Sequence, residues 1–309
     1  MVGAMPSPRV LVTGANGHLG RGLIARLQQG EPEQVRAVVR SQRAAEQVAA
    51  TAPVDVRIVD YTSAKALAEA GRGCQAAVHF VGIIKQTRDA RYETAHEAAC
   101  ESLVSAATSA GLERIVYLSI LGSRPDSTNA CLASKGRAEA ILLAGSVPAC
   151  VLRVPMVLGR EDYASFSLRK QATSGTLAML GGGRTLQQPI DADDVISAVL
   201  AALRRKQPMR GALDLAGPEC LSHRQLVERA GVLHANQPRV IPVPLSLARA
   251  GVSILERLAP NPPLTVAMLD VLQHDDRVDT APACKQLDLA LTPLDETLRK
   301  CLGPETDSR

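Results

Sequence analysis

The chain has 309 residues, of which 46% are hydrophobic and 21% charged, which excludes disordered, collagen-like and fibrous polymers and suits one large domain or one domain with a smaller appendage. Thirty-five Lys and Arg against 31 Asp and Glu leave a formal charge of +4 with no long basic run, too weak an excess to specify nucleic-acid binding. Aromatic residues make up only 2%, so stacking platforms are scarce, and any chemistry that needs a phenol must use Tyr61, Tyr92, Tyr117 or Tyr163.

From Arg9 to about Val157, β-branched runs alternate with stretches rich in helix formers. The runs are Arg9–Thr13, Val35–Val39, Val54–Val59, Ala77–Val81, Arg114–Leu118 and Cys150–Val154; the helical stretches are Arg21–Gln29, Ala64–Ala70, Tyr92–Ala110 and Ser134–Leu143. Several runs are apolar on both faces. The pattern predicts an α/β fold, a doubly wound parallel sheet over residues 9–160 with right-handed crossovers.

Residues 161–309 read as a smaller, partly helical lobe over the sheet's carboxyl edge, with about 190–216 returning to the core. A Gly181–Gly183 turn leads to Asp193 and Asp194, expected to cap a helix through Val195–Leu203. A strand at Ala212–Ala216 and a helix from about Ser222 to Gly231 follow. Pro242 and Pro244 on one side, and Pro260, Pro262 and Pro263 on the other, flank a helix at Leu245–Leu258. Its Leu245, Ala248, Val252, Leu255 and Leu258 recur at helical spacing, for packing on their own lobe or for docking on a membrane surface or a partner.

Seven cysteines without a CxxC pair or zinc spacing read as reduced thiols of a cytosolic protein, and no metal site is expected. Met1–Pro8 lacks the charged and apolar regions of a signal peptide, and no run approaches the roughly 18 apolar residues of a membrane span.

The strongest motif is Thr13-Gly14-Ala-Asn16-Gly17-His18-Leu19-Gly20, directly after the first strand and directly before an amphipathic helix. Gly14 permits a tight turn, Gly17 close approach of a pyrophosphate, and Gly20 close packing of helix on strand. The helix N-terminus offers N–H groups and positive dipole to phosphate. His18 either contacts phosphate or sits exposed in the loop. After the second strand stand Arg40 and Arg43 and no carboxylate, which favours NADP(H) over NAD(H). Asp60, followed by Tyr61, either accepts from the adenine amino group or caps the helix at Ala64–Ala70. Val81, Gly82 and Ile83 follow the fourth strand, where Gly82 lets a ribose approach, and Pro155 follows the sixth.

Together with Phe80-Val81-Gly82-Ile83-Ile84, Leu118-Ser119-x-Leu121-Gly122 and Ser134-Lys135-Gly136-x-Ala138-Glu139, this turn resembles the atypical, extended branch of the short-chain dehydrogenase/reductase superfamily. Gly181-Gly-Gly-Arg184-Thr185, Asp193-Asp194-Val195, Gly217-Pro218-Glu219 and Ile241-Pro-Val-Pro244-Leu245 extend the likeness. Within that branch it is most similar to the group of the NAD(P)H-binding accessory subunit of respiratory complex I and its bacterial relatives. The resemblance implies a nicotinamide dinucleotide, a respiratory-complex or membrane-surface partner, no nucleic acid, and a cytoplasmic location or one peripheral to the inner membrane.

The superfamily's reductases pair a Tyr and a Lys four residues apart with a Ser or Thr after the fifth strand. Here Lys135 keeps its place, implying a hold on the nicotinamide ribose, but Cys131 stands at the tyrosine position. A thiol ends well short of a phenolic oxygen, and as a thiolate beside an ammonium it cannot donate a proton. Cys131 is then a space-filling side chain or a reactive thiol. Ser119 lies in the motif, although Ile120 is the residue expected to face substrate. Tyr163, after the sixth strand, is a replacement acid or a packing residue. His79 reads as core, and His96 has no ligand partner.

Two functions fit. One is an NADP(H)-binding protein with a degenerate Tyr/Ser pair and a structural, assembly or redox-sensing role in respiratory or quinone metabolism. The other is an active NAD(P)H-dependent reductase or epimerase that draws its proton from Tyr163, Cys131 or water.

Overall fold

Every residue of Val35–Val39 is buried, because a strand covered by helices on both faces has no wet side. In the computed structural model, which describes residues 9–29, 34–87, 89–259 and 262–303, this strand belongs to a seven-stranded sheet. Met1–Pro8 and Pro260 lie outside the described residues. The chain divides into two compact units, Met1–Arg153 with Ile196–Leu213 and Val154–Val195 with Asp214–Arg309.

The first unit runs β1 (Arg9–Thr13), α1 (His18–Leu27), β2 (Val35–Val39), α2 (Gln42–Ala49), β3 (Asp55–Ile58), α3 (Ala64–Gly71) and β4 (Cys74–His79). A π-wound turn at Glu93–Ala98 then opens α4 (Ala99–Ala110), followed by β5 (Arg114–Ile120), α5 (Ala130–Ala144) and β6 (Ala149–Val154). Across the sheet the order is Gly211–Asp214, β6, β5, β4, β1, β2, β3. The pairs of β1 with β2 and β4, of β2 with β3 and of β4 with β5 are parallel. The winding reverses at β1, and the crevice outside the carboxyl ends of β1 and β4 is the switch point where doubly wound sheets take ligands.

Several boundaries differ from the sequence expectation for local physical reasons. Helix α1 starts at His18 rather than Arg21, since the extended Gly17 is its N-cap. Strand β4 covers Cys74–His79 rather than Ala77–Val81: pairing with β1 sets His79 opposite Thr13, and both strands stop there. Helix α5 starts four residues earlier than Ser134 because the Asn129 side chain accepts from the amides of Cys131 and Leu132 at 2.9 and 3.1 Å. Helix α2, capped by Ser41, has no counterpart in the sequence reading.

In the second unit, helices Tyr163–Ala172, His223–Val232 and Leu294–Leu302 pack around Leu158, Leu168, Leu226 and Leu298. Thr176–Leu180 pairs in parallel with Arg239–Val243. The helix expected at Val195–Leu203 begins at Ala192, so Asp193 and Asp194 occupy its first turn instead of capping it. The Asp193 amide is held by the Asp191 carboxylate at 2.8 Å. Buried Asp191 also receives hydrogen bonds from Thr297 and Lys300, so this acidic cluster is internally satisfied. Ser222 and Gln225 form a capping box on His223–Val232. The helix Leu245–Leu258 has the bounds read from sequence, but Val252 is its one buried residue. Leu247, Ile254, Leu255 and Leu258 are exposed. No helix among the described residues is long and apolar enough to cross a membrane, and none of them forms a metal-ligating cluster of His, Cys, Asp and Glu.

Two glycine substitutions test this packing in opposite directions. A Cβ on Gly20 would stand 2.6 Å from the Gly14 carbonyl oxygen and 2.8 Å from Ala15 Cα, so Gly20→Ala is expected to cost about 1–3 kcal/mol in denaturant unfolding. Gly251 lies in an exposed helix interior with nothing within 4 Å of an added Cβ, so Gly251→Ala is expected to add about 0.5–1 kcal/mol.

Candidate functional site

The turn after β1 is built by glycine. Gly14 has φ +70, and an added Cβ would press on the Phe80 carbonyl carbon at 3.1 Å and the Val81 nitrogen at 3.2 Å. The Gly17 amide donates to the Gly14 carbonyl at 3.0 Å, and Arg21 donates to the Asn16 carbonyl at 2.9 Å. Gly17 caps α1 without any side-chain acceptor. The first-turn amides of His18, Leu19 and Gly20 therefore have no intrahelical carbonyl, and with positive dipole behind them they suit a pyrophosphate. Gly14 and Gly20 let the turn close on the chain itself, while Gly17 is exposed, with only the Gly14 carbonyl oxygen, at 3.3 Å, within 4 Å of an added Cβ; the backbone there is open to that group, so these residues fit it.

Two predicted contacts are turned inward instead. Tyr61 is buried; its hydroxyl accepts from the Gly14 amide and donates to the Val38 carbonyl, both at 3.0 Å. It staples the turn to β2, and burial raises its pKa. Thr13 is likewise buried, with Oγ1 2.6 Å from His79 Nδ1 and 3.3 Å from the Val78 carbonyl.

At the end of β2, Arg40 lies 5.7 Å over the Tyr61 ring. Arg40 and Arg43 are both exposed, and neither has an ion-pair partner among the described residues. Arg40, Asp60, Tyr61 and Val81 line one cleft together with Arg91 and Thr94. The helix-capping alternative for Asp60 is corrected: Ser63 caps α3. Asp60 instead holds the Thr62 amide and hydroxyl at 3.0 and 2.9 Å, bonds that lower its pKa.

Beyond β4, Gly82 and Ile83 lie against α5. A Cβ on Gly82 would stand 2.9 Å from Lys135 Nζ and 3.6 Å from His96 Nε2. Lys135 is only 7% exposed and donates to the Tyr117 hydroxyl at 2.9 Å and the Leu118 carbonyl at 3.1 Å. Burial lowers its pKa to about 8. Cys131 is fully buried, with its thiol donating to the Ile83 carbonyl at 3.7 Å. Burial pushes that thiol up to about 11 and outweighs the Lys135 ammonium. Desolvation thus favours the thiol over the thiolate at Cys131. Ser119 donates to Glu139 at 2.5 Å, and Glu139 is paired with Arg153, so this hydroxyl is tied into a buried network. Ile120 is half-buried. Pro155 is buried in the second unit, and Tyr163 opens that unit's helix Tyr163–Ala172 with 85% of its surface exposed.

Sequence reasoning missed the polar nest beneath Lys135. Tyr117 is fully buried on β5, with Lys135 Nζ 4.5 Å from its ring centroid and the His79 ring 5.6 Å away. A signal was available, since Tyr117 lies two residues before Ser119 and thus on the same strand face. His96, read as lacking a ligand partner, accepts from the Ile83 amide at 3.0 Å through Nε2 and lies 3.3 Å from Ser134 Oγ through Nδ1. Ser134 in turn donates to Glu97 at 2.8 Å, a pattern that assigns the proton to Nδ1. Burial holds His79 and His96 down to about 3, and pushes the Cys100 thiol beside Tyr117 up to about 12.

A strand, a glycine turn and a helix N-terminus at the switch point define the fold of a dinucleotide-binding protein. Residues 14–206 match the NAD(P)H-binding family model, and the chain belongs to that family. It is 28% identical over 179 residues to the mitochondrial NADH dehydrogenase [ubiquinone] 1 alpha subcomplex subunit 9 of Arabidopsis thaliana, covering 56% of this chain and 44% of that protein. The chain thus spans less than half the length of the plant relative. It is 24% identical over 237 residues to the ceramide reductase of Caulobacter vibrioides (strain NA1000 / CB15N), covering 76% of this chain and 73% of that one. The structure of triphenylmethane reductase from Citrobacter sp. matches with TM-score 0.74 at 21% identity over 95% of this chain and 99% of that one, a likeness of fold.

Two measurements check these electrostatics. Protonating His79 and His96 opposes folding, so stability present above about pH 6.5 is expected to fall as pH drops toward 3. The Tm loss between pH 7 and pH 5 is expected to be smaller in His96→Gln than in the parent. In mass-spectrometric thiol labelling, exposed Cys220 is expected to react while the protein is folded, and Cys131 only after denaturant is added.

Proposed function

We propose that this protein binds NADP(H) in the cradle at Gly14–Gly20 and lacks tyrosine-based carbonyl reduction, serving a structural, assembly or redox role beside a respiratory or quinone-linked partner. The carrying observation is the state of the two proton-transfer positions. Cys131 is a buried thiol bonded to Ile83, and Ser119 is committed to Glu139, so neither is free to exchange a proton with a carbonyl oxygen. The cofactor end supports binding, with glycine where backbone must approach and an uncapped helix N-terminus. Exposed Arg40 and Arg43 support a 2′-phosphate, since an unpaired guanidinium at the end of β2 can donate to it. Asp60 and Gly82 serve the adenosine and nicotinamide-ribose portions, and Lys135 the ribose hydroxyls. The named role of the plant relative supports the respiratory partner, and a cytoplasmic or membrane-peripheral location follows from the same reading.

A second reading, a reductase, is favoured by the ceramide reductase relative, which is matched over 73% of its length. Its proton would come from water or from Tyr163.

Fluorescence titration of the purified protein is expected to give tighter binding of NADPH than of NADH. Arg40→Ala is expected to weaken NADPH about tenfold and NADH little, the size of one lost charge-assisted hydrogen bond. No oxidation of bound NADPH is expected with quinones, ketones or sugar nucleotides. Turnover that disappears in Tyr163→Phe would establish the reductase instead.

A further inference from the structure

We propose that Tyr117 is a positioning residue for Lys135, holding the ammonium against Gly82 so that it can meet a bound nicotinamide ribose. This rests on the reading in which Lys135 holds that ribose. An ammonium carries three N–H bonds. Two are used within the fold, on the Tyr117 hydroxyl at 2.9 Å and the Leu118 carbonyl at 3.1 Å. Lys135 has no further hydrogen-bond partner among the described residues. The place beside Nζ where no side chain stands is Gly82, whose added Cβ would lie 2.9 Å away.

Three features make Tyr117 the holder rather than a neighbour. Its ring lies 4.5 Å below Nζ and attracts the cation. Its hydroxyl oxygen accepts from the ammonium at 2.9 Å, a charge-assisted hydrogen bond. Both partners are buried, so no water replaces the bond if it is lost. Tyr117 stays neutral, because burial raises its pKa well above the usual value. The contact is thus a charged donor on a neutral phenol, strong enough to orient the lysine and weak enough to leave its third N–H for a ligand.

The groups facing Lys135 are His79 on β4, His96 on the π-wound turn, Cys100 on α4, Cys131 and Glu139 on α5, and Tyr117 on β5. The two histidines stay neutral above about pH 5 and the two thiols stay protonated below about pH 10. Glu139 is paired with Arg153. Between these limits the proton that changes in this cluster is that of Lys135.

The test is NADPH affinity against pH, from pH 6 to 9.5, in the parent, Tyr117→Phe and Lys135→Met. Phe keeps the ring and removes only the oxygen. The parent's affinity is expected to fall as pH rises through about 8, as the ammonium is lost. Tyr117→Phe is expected to bind about five- to tenfold more weakly at pH 7, with the fall moved to lower pH because the ammonium has lost an acceptor. A purely space-filling Tyr117 would leave both affinity and profile unchanged in Tyr117→Phe, and that result overturns the proposal. If Lys135→Met binds as the parent does, the ribose reading fails and the proposal with it; if Lys135→Met is weakened and Tyr117→Phe is not, the positioning role alone fails. Should Tyr117→Phe not fold, 3-fluorotyrosine labelling of the parent supplies the test, since the chain has only four tyrosines. The Tyr117 fluorine signal, assigned by Phe replacement of the other three, is expected to move on NADPH addition, and a fixed signal overturns the proposal.

Discussion

The pairing of β1 with β4 is the constraint from which the site follows. It sets Thr13 opposite His79, so the two strands end together. Gly14 is thereby set against Phe80 and Val81 with φ +70, where a side chain would be both strained and tightly crowded. The same register delivers Gly82 to Lys135 and carries His79 beneath Tyr117. Shifting it by one residue would turn every side chain on β4 to the opposite face. The glycine turn, the lysine nest and the crevice between them are in that sense one arrangement.

Desolvation, rather than pairing, then decides the protonation of the nest. A thiol four residues from an ammonium on one helix face would be depressed in water. In the interior the cost of a buried charge dominates, and Cys131 and Cys100 stay as thiols while His79 and His96 stay as neutral rings. Lys135 is the buried cation of the nest, and it is the group given a phenol oxygen, a carbonyl and an aromatic ring. Ser119 shows the opposite treatment: its hydroxyl is spent on Glu139, which Arg153 neutralises. The nest thus leaves the Lys135 ammonium charged and solvated by the fold, while the Ser119 hydroxyl and the Cys131 thiol are bonded within it.

The succession of strands and helices along the chain and the glycine turn were legible in the sequence because both are local. Strand runs with apolar residues on each side signal a covered sheet, and a glycine triplet between strand and helix has a backbone reason for each member. Cys131 at the tyrosine position could also be read directly, through its spacing from Lys135. The bounds of Leu245–Leu258 were read correctly, but not which of its faces is covered: Val252 is buried while Leu255 and Leu258 are exposed. Helical period fixes a stripe and says nothing about its neighbour.

What the sequence by itself determined is therefore the fold class, the glycine turn between first strand and first helix, and the cysteine in place of a phenol four residues before Lys135. Only the tertiary structure decided what the remaining tyrosines do. Tyr61 ties the Gly14 amide to β2, and Tyr117 lies under Lys135, because long-range strand pairing and the docking of α4 and α5 bring together residues from distant parts of the chain. It also decided the state of Cys131, since the sign of a pKa shift depends on how much water the fold leaves, and spacing along a helix carries no measure of that.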